Sequence, residues 1–476
     1  MTRAAAAIRV PHIVRGHVVW GDHVVHCTRL GEQFVHPALD LDAVVVPHGQ
    51  CGPAFDTPVA EVIDFLAETG KALDFAQNTH LAEAAETMSA VSPHSARLVE
   101  ATYRQLSDFF DPAALWAAVN AEIGAPYLDG WVTRRGNGVP RARVRAFPCR
   151  LVHIMPGNGP GGAAMTIARG ALTKGINLLK LPSNDLCTAV AILRTMADID
   201  ADHPILKSFS AVYWRGGDSD VESVIFRPQF FDKVVAWGGA QTIRNVTPYL
   251  GPGIELVAYD PKVSISLIGR EAFADEDTLR TVANRGADDA AVMNQEACVA
   301  SRHQFVEGDL DEVDRYCELL AAELSRERQW ADGRSWRTPP DVRSQVEVLR
   351  FTPDFRMWGD FNGSGLVVRS TEPVEFHPSA KTVNVVPVRT LDDALAHATV
   401  ATQTVGVFPP ERKTALRDRL ASNGVQRIVS LGNAIGLASG AGLPHDGSFP
   451  LQRLVRWVSD EDLELAEVTE ADGLDD

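Results

Sequence analysis

The stretch CRLVHIMPGNGPGGAAMTIARGALTKGINLLKLPSND, Cys149–Asp185, decides the fold. An apolar run, CRLVHIM, ends in a glycine-rich turn. The turn opens AAMTIARGAL, whose apolar residues recur at helical spacing, and a second short apolar run, INLLK, follows. That is a strand, a crossover helix and a second strand. The rhythm continues downstream with the helix LCTAVAILRTMADI and the strand SFSAVYW. The turn GGDSD leads into VESVIF, KVVAW leads through Gly238-Gly239 into AQTIRNV, and IELVAY closes the series. Short strands alternating with helices of this length predict a parallel sheet covered on both faces. Turns at the carboxyl ends of such strands are where these sheets hold nucleotides.

Outward from this block the pattern is less regular. Residues 1–55 read as β-rich, with a hairpin expected in VVWGDHVVHC (Val18–Cys27) around Gly21-Asp22. Residues 56–125 read as helical. Trp131–Arg150 carries six arginines and no acid, with Asn137-Gly138 as a tight-turn signal between extended runs. In RARVRAF the arginines alternate, so a strand places them on one face. From Val263 to Ala434 a second α/β domain is expected, with Ser335–Pro353 as a surface excursion. LQRLVRWV, from Leu451, reads as a last strand. The expected division is 1–262 (hairpin at about 130–148), 263–434, 435–458 and a tail at 459–476.

Composition bounds the function. The 476 residues suffice for two or three domains. The net charge of −17 disfavours a nucleic-acid partner. Much of it comes from Ser459–Asp476, which holds nine acids and no Lys or Arg, as a solvated end would. No apolar run of membrane-spanning length is present, and the amino terminus lacks the long apolar core of a signal peptide. The six cysteines, at 27, 51, 149, 187, 298 and 317, show neither CxxC nor Cys/His spacing. A reducing cytoplasm with no metal site is the expectation.

Four short segments carry the chemistry: Pro156-Gly157-Asn158-Gly159-Pro160, Lys180 in LLKLPSND, Trp237-Gly238-Gly239, and Asn294-Gln295-Glu296-Ala297-Cys298. No GxGxxG opens the sheet, which counts against an ordinary Rossmann dehydrogenase. In this order the segments resemble the aldehyde dehydrogenase superfamily. With VVAWGG, KLPSND, NQEACVAS and PLQRLVRWV, the chain looks most similar to the long-chain fatty acyl-CoA reductases, the reductase component of bacterial luminescence fatty-acid reductase complexes.

The resemblance implies a fold of two Rossmann-like α/β domains, cofactor-binding and catalytic, with a β oligomerisation arm built from the Asn137-Gly138 hairpin and LQRLVRWV. It also implies a homo-oligomer. Cys298 matches the acyl-accepting nucleophile, which needs thiolate character. Asn158 matches the oxyanion-hole amide. Lys180 matches the lysine that holds the adenosine ribose or its 2′-phosphate, with Ser183 and Asn184 as further donors. That set favours NADPH, with NADH as the alternative, although Asp185 is close by. Gly157 belongs to the cofactor-side turn, and Gly238 and Gly239 match the turn facing the pyrophosphate. His445, in LPHDG, is expected to protonate a departing thiolate or stabilise a thiohemiacetal.

Two departures bear on the reaction. Glu255 falls near the place of the water-activating glutamate, but Val257 and Ala258 stand where glycines are expected. KTVNVVPV offers no acid for the nicotinamide ribose. Both disfavour oxidation to a free acid. The resemblance therefore implies NAD(P)H-dependent reduction of a fatty acyl thioester, such as acyl-CoA, to an aldehyde. An acyl-activating ligase or an acyl carrier protein is a possible donor. The alternatives are an oxidising aldehyde dehydrogenase that relies on Glu255, and an idle scaffold subunit.

Overall fold

The computed structural model describes residues 7–28, 30–136, 139–436 and 442–461. Two seven-stranded sheets form its frame. The first runs, edge to edge, Glu255–Tyr259, Lys233–Trp237, Arg150–Ile154, Ile176–Lys180, Phe209–Val212, His12–Val14 and His17–Val19. The first five are parallel, and the last two add an antiparallel hairpin. After Arg150–Ile154 the chain fills one side of the sheet and then returns to the other at Lys233–Trp237. The order therefore reverses beside Arg150–Ile154, which opens a crevice at the carboxyl ends of these two strands. Helices Gly161–Leu172 and Thr188–Ile199 join the strands and bury most of their apolar residues.

The second sheet runs Arg356–Asp360, Gly365–Arg369, Thr382–Val388, Ser301–Glu307, Val263–Ile268, Thr402–Phe408 and Arg427–Ser430. It is parallel except for its first edge. Its central strands are buried throughout most of their length, as expected of strands covered on both faces. The two sheets agree with the pair of α/β domains expected from the sequence.

A third sheet has three strands, Val132–Gly136, Val139–Pro148 and Val455–Glu461. The register Val455↔Pro148 to Glu461↔Ala142 joins the basic segment to the carboxyl-terminal one within a single chain, with Asp460 opposite Arg143. The acidic segment thus begins inside a strand. The Asn137-Gly138 turn and residues 462–476 lie outside the described residues. Of the alternating arginines, Arg145 is buried, its guanidinium 4.1 Å from the centre of the Phe55 ring, while Arg143 is exposed.

Three expectations are corrected. His17–Val19 and Val24–Cys27 do not pair with each other, because they belong to different sheets. The hairpin turn lies one step earlier, at Arg15-Gly16, where both residues have positive φ (48° and 82°), as a primed two-residue turn requires. Ser335–Pro353 contains the helix Pro340–Leu349, which buries Val342 and Val346. Pro450–Leu454 is helical, with Pro450 in its first turn and Leu451 and Leu454 buried three residues apart. The last strand therefore starts at Val455.

Candidate active site

Cys298 follows a strained turn. Met293, Asn294 and Gln295 all have positive φ (51°, 52° and 73°), a run of left-handed non-glycine residues that local energetics disfavours. The turn is held by side-chain amides: Gln295 pairs with backbone as a second peptide would, and Asn294 bridges the carboxylate and the backbone of one residue. The Asn294 amide donates to Asp332 Oδ2 (2.8 Å), while its Oδ1 accepts from the Asp332 backbone (2.9 Å). Gln295 donates to the Thr382 carbonyl (2.8 Å) and accepts from the Thr382 N–H (3.1 Å). Arg302 donates to the Gln295 carbonyl (2.7 Å) and to that of Pro378. Asn294 and Gln295 are thus structural, and they place the cysteine.

The thiol is half-buried at the amino ends of the second sheet's strands. Ser264 Oγ donates to the Cys298 carbonyl (2.8 Å), and Gln403, at the start of Thr402–Phe408, reaches the sulfur. Burial, and then the Asp446 carboxylate, push the thiol above its ordinary value. Gln403 and the backbone N–H groups of Cys298 and Val299 act in the opposite direction, favouring the thiolate. Gln403 also donates to Asp446 Oδ1 (2.5 Å), so an amide links carboxylate and thiol. Burial also pushes Asp446 upward. Neither Gln403 nor Asp446 carries a local sequence signal for this role, since each is brought in from a distant segment.

The first sheet supplies the opposite wall. Asn158 sits in the turn before helix Gly161–Leu172, and its amide donates to the Glu296 carbonyl (3.2 Å), two residues from Cys298. An NH2 group carries two hydrogens, so one remains for a substrate oxygen. A cavity of about 290 Å³ opens here, with Asn158, Met165, Ala297, Val299 and His445 in its wall. The carboxyl edge of one sheet and the amino edge of the other therefore enclose the site.

His445 packs edge-on against Trp237 and Tyr259, whose rings stack on each other 3.7 Å apart. Burial, with Arg169 and Arg427 nearby, pushes it down to about 3. That shift favours the neutral imidazole, whose polar edge faces the cavity beside Cys298. Glu255 is not brought to the site. It stands at the amino end of its strand, exposed and ion-paired with Lys233 (2.8 Å), while the site-facing end of that strand is Tyr259. Four residues of extended chain, roughly 13 Å, separate the two ends. Its assignment to water activation is corrected on that ground.

The residues expected to bind a nucleotide gather at the carboxyl edge of the first sheet. A Cβ on Gly157 would lie 1.9 Å from Asn184 Oδ1, so the glycine lets the two strand-end turns touch. Gly238 has φ 151° and would meet Thr242 at 2.7 Å. Gly239 caps helix Ala240–Val246. Ser183 lies half-buried in the turn after Lys180. Asp185 turns away, accepting from the Thr188 hydroxyl (2.5 Å) at the start of the next helix. Lys180 lies over Tyr213 and Trp214 (5.4 and 5.7 Å), and burial lowers it to about 8 despite the neighbouring Glu222. Among the described residues the Lys180 side chain makes one hydrogen bond, a long one to the Leu181 carbonyl (3.4 Å), and Glu222 Oε2 is buried without a partner. Two polar heads short of partners at a strand end fit a ribose. Glu222 was not foreseen, and it adds the acid that the KLPSND segment lacks in a facing position. Among the described residues no cluster of metal-ligating side chains occurs, and no helix is long and apolar enough to cross a membrane.

A family model described as acyl-CoA reductase (LuxC) matches residues 54–457. The long-chain acyl-protein thioester reductase of Vibrio harveyi is 28% identical over 85% of this chain and 83% of its own length. That of Aliivibrio fischeri is 32% identical over 73% of this chain and 71% of its own. Among solved structures, an oxidoreductase from Marinobacter aquaeolei superposes with a TM-score of 0.70 at 14% identity, covering 95% of this chain and 98% of that one. An NADP-dependent glyceraldehyde-3-phosphate dehydrogenase from Bacillus halodurans gives 0.69 at 15%, covering 95% and 99%. At such identities the structures speak for the fold, and the sequence matches speak for the family. The chain belongs to the LuxC-type acyl-CoA reductase family, built on the aldehyde dehydrogenase fold.

Proposed function

We propose that this protein reduces a long-chain acyl thioester to an aldehyde, using NAD(P)H, through an acyl-enzyme on Cys298. The observation that carries the reading is the position of Cys298 between two sheet edges. The Asn158 amide reaches into its loop, and the backbone N–H groups of Cys298 and Val299 lie against its sulfur. Relatives called long-chain acyl-protein thioester reductases point to the same substrate class.

Cys298 sulfur attacks the thioester carbon and the donor thiol leaves, taking the proton that Cys298 gives up. The Asn158 amide and the backbone N–H of Cys298 hold the oxyanion. The enzyme thioester on Cys298 would then accept the hydride that a nicotinamide cofactor supplies when bound. The thiohemiacetal on Cys298 then collapses to aldehyde, and the sulfur recovers a proton. His445 acts as a neutral polar wall. Gln403 positions the sulfur and couples it to Asp446. With Glu255 at the far end of its strand, no glutamate placed by the sequence activates water, and this favours reduction over oxidation to the acid.

Gly157, Gly238 and Gly239 would leave room for the pyrophosphate of a bound cofactor, and Lys180 with Glu222 would hold its adenosine ribose. Lys180, Ser183 and Asn184 favour the 2′-phosphate of NADPH, whereas the Glu222 carboxylate favours the free hydroxyl of NADH. The donor is acyl-CoA, a carrier protein or an acyl-activating ligase. The three-stranded sheet, with Trp131 and Trp457 exposed, joins copies into a homo-oligomer. Cysteines outside any disulfide fit a cytoplasmic setting. Aldehyde release from tetradecanoyl-CoA tests the assignment. Cys298→Ala is expected to abolish it, and retained turnover in that variant would refute it.

A further inference from the structure

Two cavities lie along one face of helix Gly161–Leu172. The nearer, at Cys298, uses Gly161, Gly162 and Met165 of that helix. The farther, of about 400 Å³, uses Met165, Ala168, Arg169 and Leu172. These positions recur at intervals of three and four, so they form one stripe, and at 1.5 Å per residue the stripe is roughly 16 Å long. Asp108, Phe109 and Met165 line both cavities. Phe109 is pressed onto the helix where Gly161 admits it, since a Cβ there would lie 2.9 Å from its ring. The two cavities are therefore successive chambers with a waist at Phe109 and Met165. Leu115, Ala118 and Leu451 stand opposite the helix, and the apolar wall is interrupted by the charged side chains of Asp108, Asp111, Glu122 and Arg169. Their buried acid, Glu122, is occupied by the Leu451 N–H (2.6 Å).

We infer that the far chamber is a subsite for the distal methylenes of an aliphatic acyl chain anchored at Cys298, and that Phe109 and Met165 select for chain length. The inference rests on the acyl-thioester reading and adds the place where the chain goes. A chain that stops before the waist gains nothing from the far chamber. Each methylene beyond it leaves water for an apolar wall, worth roughly a fourfold gain in apparent affinity.

The test uses Ala114→Trp, which fills the far chamber from a half-buried wall position, and Met165→Trp, which closes the waist. Acylation of Cys298 is followed by mass with hexanoyl-, decanoyl- and hexadecanoyl-CoA. Binding of cis-parinaric acid is followed by fluorescence in the wild type and in Cys298→Ala. Both filling variants are expected to raise KM for hexadecanoyl-CoA relative to hexanoyl-CoA by roughly tenfold or more, and to weaken parinaric acid binding to the same degree. Equal effects on both chain lengths, or unchanged parinaric acid binding, would overturn the subsite. Failure of every acyl-CoA to acylate the wild type would instead sink the acyl-enzyme reading. Parinaric acid binding, which needs no reactive thiol, would still decide the subsite.

Discussion

At the scale of the residue, the chemistry turns on charges brought together by the fold. Cys298 is held as a thiol, because burial and Asp446 outweigh the donors around it. A raised thiol pKa leaves a small thiolate fraction at neutral pH, and that fraction grows tenfold per pH unit. Alkylation of the free enzyme by iodoacetamide should therefore climb through pH 9 without a plateau. In Asp446→Asn, which removes the opposing charge, it should run several-fold faster at pH 8. A plateau below pH 8 in the wild type contradicts this electrostatic picture. Glu222 offers a second residue-scale test. Its Oε1 accepts from Gly217 (2.9 Å) and Trp214 (3.3 Å), bonds a glutamine can keep. Glu222→Gln should thus shift the ratio of NADPH to NADH efficiency towards NADPH by roughly tenfold, about 1.4 kcal/mol. An unchanged ratio would place the ribose elsewhere. Cys298, Asn158 and the glycines each sit in a short motif that singles them out in the sequence, and the fold brings the Asn158 amide to the loop of Cys298. Asp446, Gln403 and Glu222 were not legible in these roles, because a side chain's partner across two sheets leaves no local pattern. Glu255 misled for the opposite reason: proximity along the chain placed it at the wrong end of its own strand.

At the scale of the element, the turn before Cys298 stores strain that distant segments hold. Asn294 is buried and makes two bonds to Asp332, whose carboxylate also accepts from the Ser95 backbone (3.2 Å) and Arg97 (3.2 Å). Asn294→Ala leaves a buried N–H without a partner and frees a left-handed residue. A loss of about 2–4 kcal/mol follows, to be read from the urea midpoint, with slower acylation of Cys298. An unchanged midpoint would mean that the turn holds itself. The strand–helix alternation of Cys149–Tyr259 was read correctly, because buried parallel strands are short apolar runs that glycine turns set off. The Arg15-Gly16 hairpin escaped because arginine is a poor marker of a positive φ. Helix Pro340–Leu349 escaped because its apolar contact rests on only two buried valines.

At the scale of the whole molecule, Glu122, at the end of helix Pro112–Glu122, joins the helical region before the first parallel strand to the segment at Leu451. Its carboxylate accepts from the Leu451 N–H and its carbonyl from Gln452 (2.6 Å). Burial raises it from 4.5 to about 7. The folded state therefore keeps a proton that the unfolded chain gives up above pH 4.5. Stability falls as pH rises from 4.5 towards 7 and levels off beyond, a loss on the order of 3 kcal/mol. Glu122→Gln keeps an acceptor without this titration. Its Tm should exceed that of the wild type at pH 8 by more than at pH 5, and an equal gap at both would refute the linkage. The succession of two α/β sheets, the second beside Cys298, was visible from sequence. Their mutual orientation, carboxyl edge against amino edge, was not, because it follows from packing between residues far apart in the chain.

A covalent acyl-enzyme on Cys298, discharged by NAD(P)H, is the core of the proposed reaction. Single-turnover mass spectrometry of wild type and Cys298→Ala with tetradecanoyl-CoA, before and after addition of NADPH or NADH, tests it directly. A mass gain of one acyl group, absent from the variant and lost as aldehyde when the reduced cofactor is added, is the predicted result. An adduct that persists in Cys298→Ala, or one that leaves as free acid, would contradict the account.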